Sequence, residues 1–328
     1  MSDQQPAELV GSLAEGFMGS RCLHVAVSMG LAETVTDDPR SLTDVAAEVG
    51  ADPRALGRLV RHLAALGVFQ CAGDSIRHNE ASRLLRRDHS SDLSSLVLMM
   101  GIPVIWGSLG SLEDAVRTGR PGTTFMDPNG FFSYLAAHPD ESELYDRGMT
   151  GMTVRRISRM VPHYDFTPFR VIADVGGGRG HLLRAVLEQT PAAQGILFDQ
   201  AHVVMDLLPE PRMSVEPGSF FTDPLPRADC YLLSNIIHDW GDDEALSILR
   251  AVRSVADATS TLLLFEFVVP EDEEGFTATD IDMWMLALVS GRERTYSEYS
   301  DLLARSGWRV SRTVSTPVQT IIEAIPAT

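Results

Sequence analysis

The chain has 328 residues, 44% apolar and 22% charged, which suits a globular protein with room for two domains. A net charge of −18 argues against a broad nucleic-acid surface, where phosphate neutralisation needs clustered cations. No apolar run approaches the roughly 20 residues that cross a bilayer, and the polar, acidic start MSDQQPAELV lacks a signal pattern.

In chain order, Ser41 is positioned to cap a short helix whose apolar side carries Leu42, Val45, Ala46 and Val49, ending at Gly50. Asp52-Pro53 opens a second helix with Leu56, Leu59, Val60 and Leu63 inward, ending at Gly67. VFQC and IRHN then flank a Gly-Asp turn, so residues 1–100 read as a winged-helix module. Arg54, Arg58 and Arg61 share one face of the second helix, as in a DNA reader. The segment is nevertheless slightly acidic, with 13 acidic and 9 basic side chains, and a dimer-forming role suits it better. Residues 101–165 read as connecting helices, rich in methionine and aromatics, that contribute to a substrate pocket.

From Val171 the pattern changes. VIADV, GILFD, CYLLS and TLLLFEF are short apolar runs separated by amphipathic stretches, the signature of a doubly wound, mostly parallel sheet over residues 166–328. WRVSRTV and QTIIEA close the chain as an antiparallel pair at the sheet edge.

The first run leads into Asp174-Val175-Gly176-Gly177-Gly178-Arg179-Gly180, a glycine-rich turn between a strand and a helix, at the edge where such sheets bind ligands. Asp199 ends the next strand, where a carboxylate can accept from both ribose hydroxyls. A nicotinamide fingerprint would want a third glycine three residues after Gly178, and His181 stands there. The spacing D-x-G-x-G-x-G instead suits S-adenosylmethionine, with Gly176 and Gly178 close to the cofactor. Ser219 and Phe220, after the third strand, are candidates for the adenine edge and face.

The segment Ser234-Asn235-Ile236-Ile237-His238-Asp239-Trp240 leaves the fourth strand at the same edge. An imidazole there can take the proton of a phenol. A carboxylate behind the ring would fix its tautomer, and Glu266 and Glu293 are the candidates. Asp239, Asp242 and Asp243 could be read as magnesium ligands, but acids at a helix N-terminus are favoured by its dipole, and no metal is expected. Met99, Met100, Met149, Met152, Met283 and Met285 could line a pocket for a flat ring, since thioethers adapt to such shapes.

DVGGGRG, FDQAHVV, GSFF, NIIHDW, FEF and GRERTYSEYSDLL, in this order, make the chain resemble the plant-type, caffeate-like small-molecule O-methyltransferases and their bacterial natural-product branch. The likeness covers nearly the whole chain, and HDW followed by RERT is its most specific part. The resemblance implies a Rossmann-like class I methyltransferase domain behind an N-terminal winged-helix dimerisation domain. It implies His238 as general base flanked by Glu266 and Glu293, and Gly176 and Asp199 on the methionine and ribose ends of S-adenosylmethionine. Ser219 and Phe220 would surround adenine, with Ser234 near the adenosine. Thr153 and Met149 would approach the reacting centre. Met149, Met283 and Asp239 are the candidates for binding the acceptor.

Three positions depart from the family pattern: Ser219 for an acid, Ser234 for the plant lysine and Ala201 for a proline. The expected partners are an aromatic acceptor and a second copy of the chain, with neither nucleic acid nor membrane. Rival readings are a winged-helix transcriptional regulator, a nicotinamide dehydrogenase, and a family relative that performs hydroxylation or decarboxylation on the same fold. All 27 cationic side chains are arginine, a habit of base composition, and three scattered cysteines (Cys22, Cys71, Cys230) suit a cytoplasmic setting.

Overall fold

The structure, a computed structural model, describes residues 6–271 and 276–327. The chain divides into two units, one formed by residues up to Trp106 together with Leu135–Met152, the other by Gly107–Tyr134 and the residues from Thr153 onward.

In the first unit a long helix, α1 (Pro6–Ser28), is followed by α2 (Leu42–Glu48) and α3 (Pro53–Ala65). Local chemistry sets both starts: the Ser41 side chain accepts from Asp44 N–H, and the Asp52 side chain from Ala55 N–H with Pro53 behind it. Gln70–Ala72 and Ser75–Arg77 form an antiparallel hairpin, and Arg40–Ser41 adds a third short strand beside it. Gly73, at φ 59°, makes the turn. Val45, Leu56, Val60, Leu63, Phe69 and Ile76 fill the core, each buried apolar side chain worth about 1.5–3 kcal/mol. The first half of α1 is different: Leu9, Val10, Leu13, Phe17 and Met18 are all exposed. The unit also includes the first part of α4 (Pro139–Met160).

The second unit is built on a seven-stranded sheet: β1 (Val171–Val175), β2 (Gln194–Asp199), β3 (Met213–Pro217), β4 (Cys230–Ser234), β5 (Thr261–Glu266), β6 (Trp308–Ser315) and β7 (Thr320–Pro326). Their order is β6-β7-β5-β4-β1-β2-β3. The five strands from β3 to β5 run parallel, and β7 and β6 are antiparallel, as the closing pair of runs suggested. Because side chains alternate across a strand, the sheet carries two cores. Tyr231, Leu233, Leu262 and Leu264 pack with α6 (Asp242–Val255) and α8 (Tyr296–Arg305). Leu232, Leu263 and Phe265 pack with α5 (His181–Gln189) and residues 157–166. Glu266, last in β5, continues the face of Leu262 and Leu264 and is fully buried. The helix α7 (Phe276–Leu288) precedes the Gly291–Thr295 segment. Among the described residues, no single helix is long and apolar enough to cross a membrane.

Candidate active site

At the carboxyl edge of β1 the chain passes through Gly176, Gly178 and Gly180, at φ of 73°, 58° and 76°, before α5 begins. These are left-handed conformations in which glycine carries no steric cost. A Cβ on Gly176 would lie 2.6 Å from the Ile236 side chain, so the turn also packs against the loop that bears His238. Asp199, ending β2, accepts Gly178 N–H at 2.7 Å and Gln200 N–H at 2.6 Å, one on each carboxylate oxygen. Each oxygen keeps a further lone pair for a hydroxyl. The turn is therefore held open by a carboxylate with spare acceptors, and these residues fit a nucleoside diol.

Asp174, just before the turn, is buried with neither carboxylate oxygen hydrogen-bonded to a described residue. Burial and then the nearby Asp199 charge push its carboxyl up to about 7. The Ser219 hydroxyl accepts Phe221 N–H at 3.3 Å, and its own N–H donates to Asp223. Phe220 stands edge-on to Phe221 and Trp240, with centroids 4.8 Å and 6.0 Å away.

The second half of the site is assembled around the loop after β4. Asn235 adopts φ 54° and turns the chain out of the strand, and Ile237–Asp239 form one tight helical turn. Glu266 accepts the N–H groups of Ile236 and Ile237 on Oε1, at 3.2 and 2.9 Å. Arg294–Thr295 pairs in parallel with Val268–Val269, which brings Glu293 to the end of β5 beside Glu266. There His238 Nδ1 lies 2.7 Å from Glu293 Oε1 and 3.9 Å from Glu266 Oε2. Asp239 Oδ1 is 3.5 Å from the other ring nitrogen, Nε2. The second oxygens of Glu266 and Glu293 are buried and have no hydrogen-bond partner among the described residues. His238, Glu266 and Glu293 each present an atom within 4.8 Å of the others, a spacing that would also admit a cation.

Charge in this pocket is unbalanced, with one imidazole among three carboxylates. Burial opposes the charged ring, but Asp239, Glu266 and Glu293 together outweigh it and raise His238 to about 10. Burial raises Glu266 to about 8, with His238 pulling against it and Glu293 adding to it. Asp239 is also raised, by burial first, although 30% of its side chain is solvent-accessible. The cluster as a whole retains a proton into the alkaline range.

Of the residues singled out from sequence, His238, Asp239, Glu266 and Glu293 meet directly, and Gly176, Gly178 and Asp199 form the adjoining turn. Ser234 ends β4 beside Phe265, Thr153 is half-buried in the second unit, and Met283 is exposed on α7. Met149 is half-buried in the first unit. Asp242 is bonded to Arg294 at 2.8 Å, with Arg292 at 3.6 Å, and starts α6 together with Asp243.

Sequence reasoning passed over several supports. Arg294 is fully buried and donates to the carbonyls of Ile237 and Trp240, clasping the loop from behind. A Cβ on Gly291 would overlap the His238 carbonyl oxygen at 1.8 Å, so only glycine fits there. Asp282 on α7 accepts Glu293 N–H at 2.8 Å. Gly291 and Arg294 flank Glu293 in the Gly-Arg-Glu-Arg-Thr string, which was the available signal; nothing in the sequence marks Asp282.

Residues 109–309 match the O-methyltransferase domain model, and residues 12–88 match the O-methyltransferase dimerisation domain. The chain belongs to this family, and it is an S-adenosylmethionine-dependent O-methyltransferase with a class I, Rossmann-like catalytic fold. Among its relatives is the phenazine O-methyltransferase PhzM of Lysobacter antibioticus, 33% identical over 95% of this chain and 94% of the relative. The mitomycin biosynthesis 6-O-methyltransferase of Streptomyces lavendulae is 32% identical over 94% and 90%. The crystal structure of CalO1, a methyltransferase in calicheamicin biosynthesis in its SAH-bound form, superposes with a TM-score of 0.85 at 31% identity, covering 100% of both chains.

Proposed function

We propose that the enzyme methylates a phenolic hydroxyl of a small aromatic natural product, that His238 takes the hydroxyl proton, and that no metal ion takes part. The observation that carries this reading is the His238 ring: Nδ1 is engaged by Glu293 at 2.7 Å, while Nε2 makes no hydrogen bond to a described residue. That arrangement keeps the Nδ1 proton toward the carboxylate, so that in the neutral ring the lone pair is on Nε2. A phenol ionises near pH 10, and against the effect of burial the three carboxylates raise the proton affinity of the ring, which brings it closer to that of the phenol it would deprotonate.

Bound S-adenosylmethionine supplies a sulfonium methyl, whose C–S electron pair stays with sulfur as the new C–O bond forms. Asp199, Gly176 and Gly178 hold the nucleoside and methionine parts, with Ser234 and Thr153 beside them. Phe220 with Ser219 borders adenine, and Met283 and Asp239 border the acceptor. Glu293 orients the ring, and its charge with that of Glu266 steadies the imidazolium. Metal independence is supported by the 2.7 Å contact of Glu293 with His238 Nδ1, which occupies the ring nitrogen that faces both glutamates. The aromatic acceptor class is supported by the phenazine acceptor of a 33%-identical relative. Exposed Leu13, Phe17 and Met18 of α1, within the segment matching the dimerisation model, support a homodimer.

Incubation with labelled S-adenosylmethionine and a panel of phenols, quinols and polyketide-like acceptors, in the presence of a chelator, is expected to place label on an aromatic oxygen. His238→Ala is expected to lose at least about a hundredfold in turnover while binding S-adenosylhomocysteine normally in calorimetry; undiminished turnover of a neutral phenol by this variant excludes His238 as the base. Asp199→Ala is expected to weaken that calorimetric affinity by about tenfold or more, as expected for loss of hydrogen bonds to a charged acceptor. Sedimentation is expected to give twice the 35.9 kDa chain mass.

The pH dependence follows from the sign of the shift. The ring must be unprotonated, or the acceptor already ionised, so kcat/KM climbs with pH along a limb above the 6.5 of an ordinary histidine. Glu293→Gln removes one of the charges that raise the ring. With one fixed acceptor, its limb is expected to move to lower pH while the plateau falls. A limb unmoved by the substitution would break the link between Glu293 and the base.

A further inference from the structure

The loop carrying His238 is held from three directions, and only two of them belong to the charged cluster. Glu266 takes two of its N–H groups, and Arg294 takes two of its carbonyls. The third hold is at its first residue. Asn235 sits at φ 54°, a left-handed conformation that an asparagine reaches only at some cost, and Gln319 Nε2 donates to Asn235 Oδ1 at 2.5 Å. The same Nε2 donates to Phe265 O at 3.3 Å, which fixes which end of the amide faces the loop.

Gln319 lies just before β7, where Thr320 pairs with Glu266, so it stands one residue beyond the carboxylate that flanks His238. It is 4% exposed, its Oε1 has no hydrogen-bond partner among the described residues, and Thr316 receives its backbone N–H. A buried amide with an unsatisfied oxygen is costly to keep, and Gln319 makes no side-chain bond within its own hairpin that would explain keeping it.

We propose that Gln319 is a positioning residue: across 84 residues of sequence it fixes Asn235 in the left-handed turn from which the His238 loop leaves, and so sets where the imidazole stands against Glu293 and Glu266. The proposal rests on the base reading only for its catalytic consequence; the placement of the ring can be read without turnover.

The probe is therefore the His238 ring in 15N-histidine-labelled protein, assigned with His238→Ala and titrated by NMR with S-adenosylhomocysteine bound. Gln319→Ala is expected to split or broaden the His238 signals and to lower its titration toward 6.5, because the Glu293 contact is no longer held. With an acceptor taken from the panel, kcat is expected to fall about five- to tenfold, a displacement effect smaller than loss of the base. The deciding comparison is the same substitution in an Asn235→Gly background. Glycine adopts the left-handed turn unaided, so Gln319→Ala is expected to change signals and kcat there by less than about twofold. An equal effect in both backgrounds would show that Gln319 merely stabilises its hairpin, and unchanged ring signals in the single variant would also overturn the proposal. Should Gln319→Ala fail to fold, Gln319→Asn, which keeps the amide and shortens its reach, reads the same coupling. Failure of the base reading looks different: His238→Ala retains turnover while the ring signals still respond to Gln319.

Discussion

The structure depends on a deliberate excess of negative charge around one imidazole. Burying Glu266 and Glu293 a few ångströms apart is unfavourable, because neither can be fully solvated and the Glu293 charge adds to burial in raising the proton affinity of Glu266. His238 relieves this by holding a proton between them; the backbone N–H groups of Ile236 and Ile237 donate to Glu266, and the Arg156 charge acts on Glu293. The position of the ring is thus an outcome of electrostatic necessity. With the loop displaced, two buried carboxylates would face each other with no cation between them.

The surrounding elements serve that arrangement in sequence-distant pieces. Strand β5 brings Glu266, the short parallel pairing at Val268–Val269 brings Glu293, and Arg294 closes the back of the loop while binding Asp242 at the start of α6. The glycine turn contributes from the other side, since Gly176 leaves room for Ile236. The glycine turn and the His238 loop are therefore packed against each other, so a change in one strains the other.

Much of this was legible in the sequence because it is written in local chemistry. Caps at Ser41 and Asp52, strand runs with period and branching, and the glycine turn before a helix each depend on neighbours within a few residues. His238 could be placed because it follows a strand end. What could not be read were contacts set by tertiary approach: Asp282 reaching Glu293, Gly291 lying against the His238 carbonyl, and the full burial of Asp174. Phe220 shows the intermediate case, since its position was legible but its edge-on packing with Phe221 and Trp240 was not.

The absence of lysine acquires a meaning in this setting. Every ion pair of the described structure, the histidine contacts aside, is made by a guanidinium, from Arg184–Glu210 to the Arg294–Asp242 clasp. Guanidinium groups keep their charge well past the range in which phenols and ammonium groups lose protons. The scaffold therefore keeps its cationic partners under mildly alkaline conditions, and an acylating reagent aimed at side-chain amines would find no target on the folded chain.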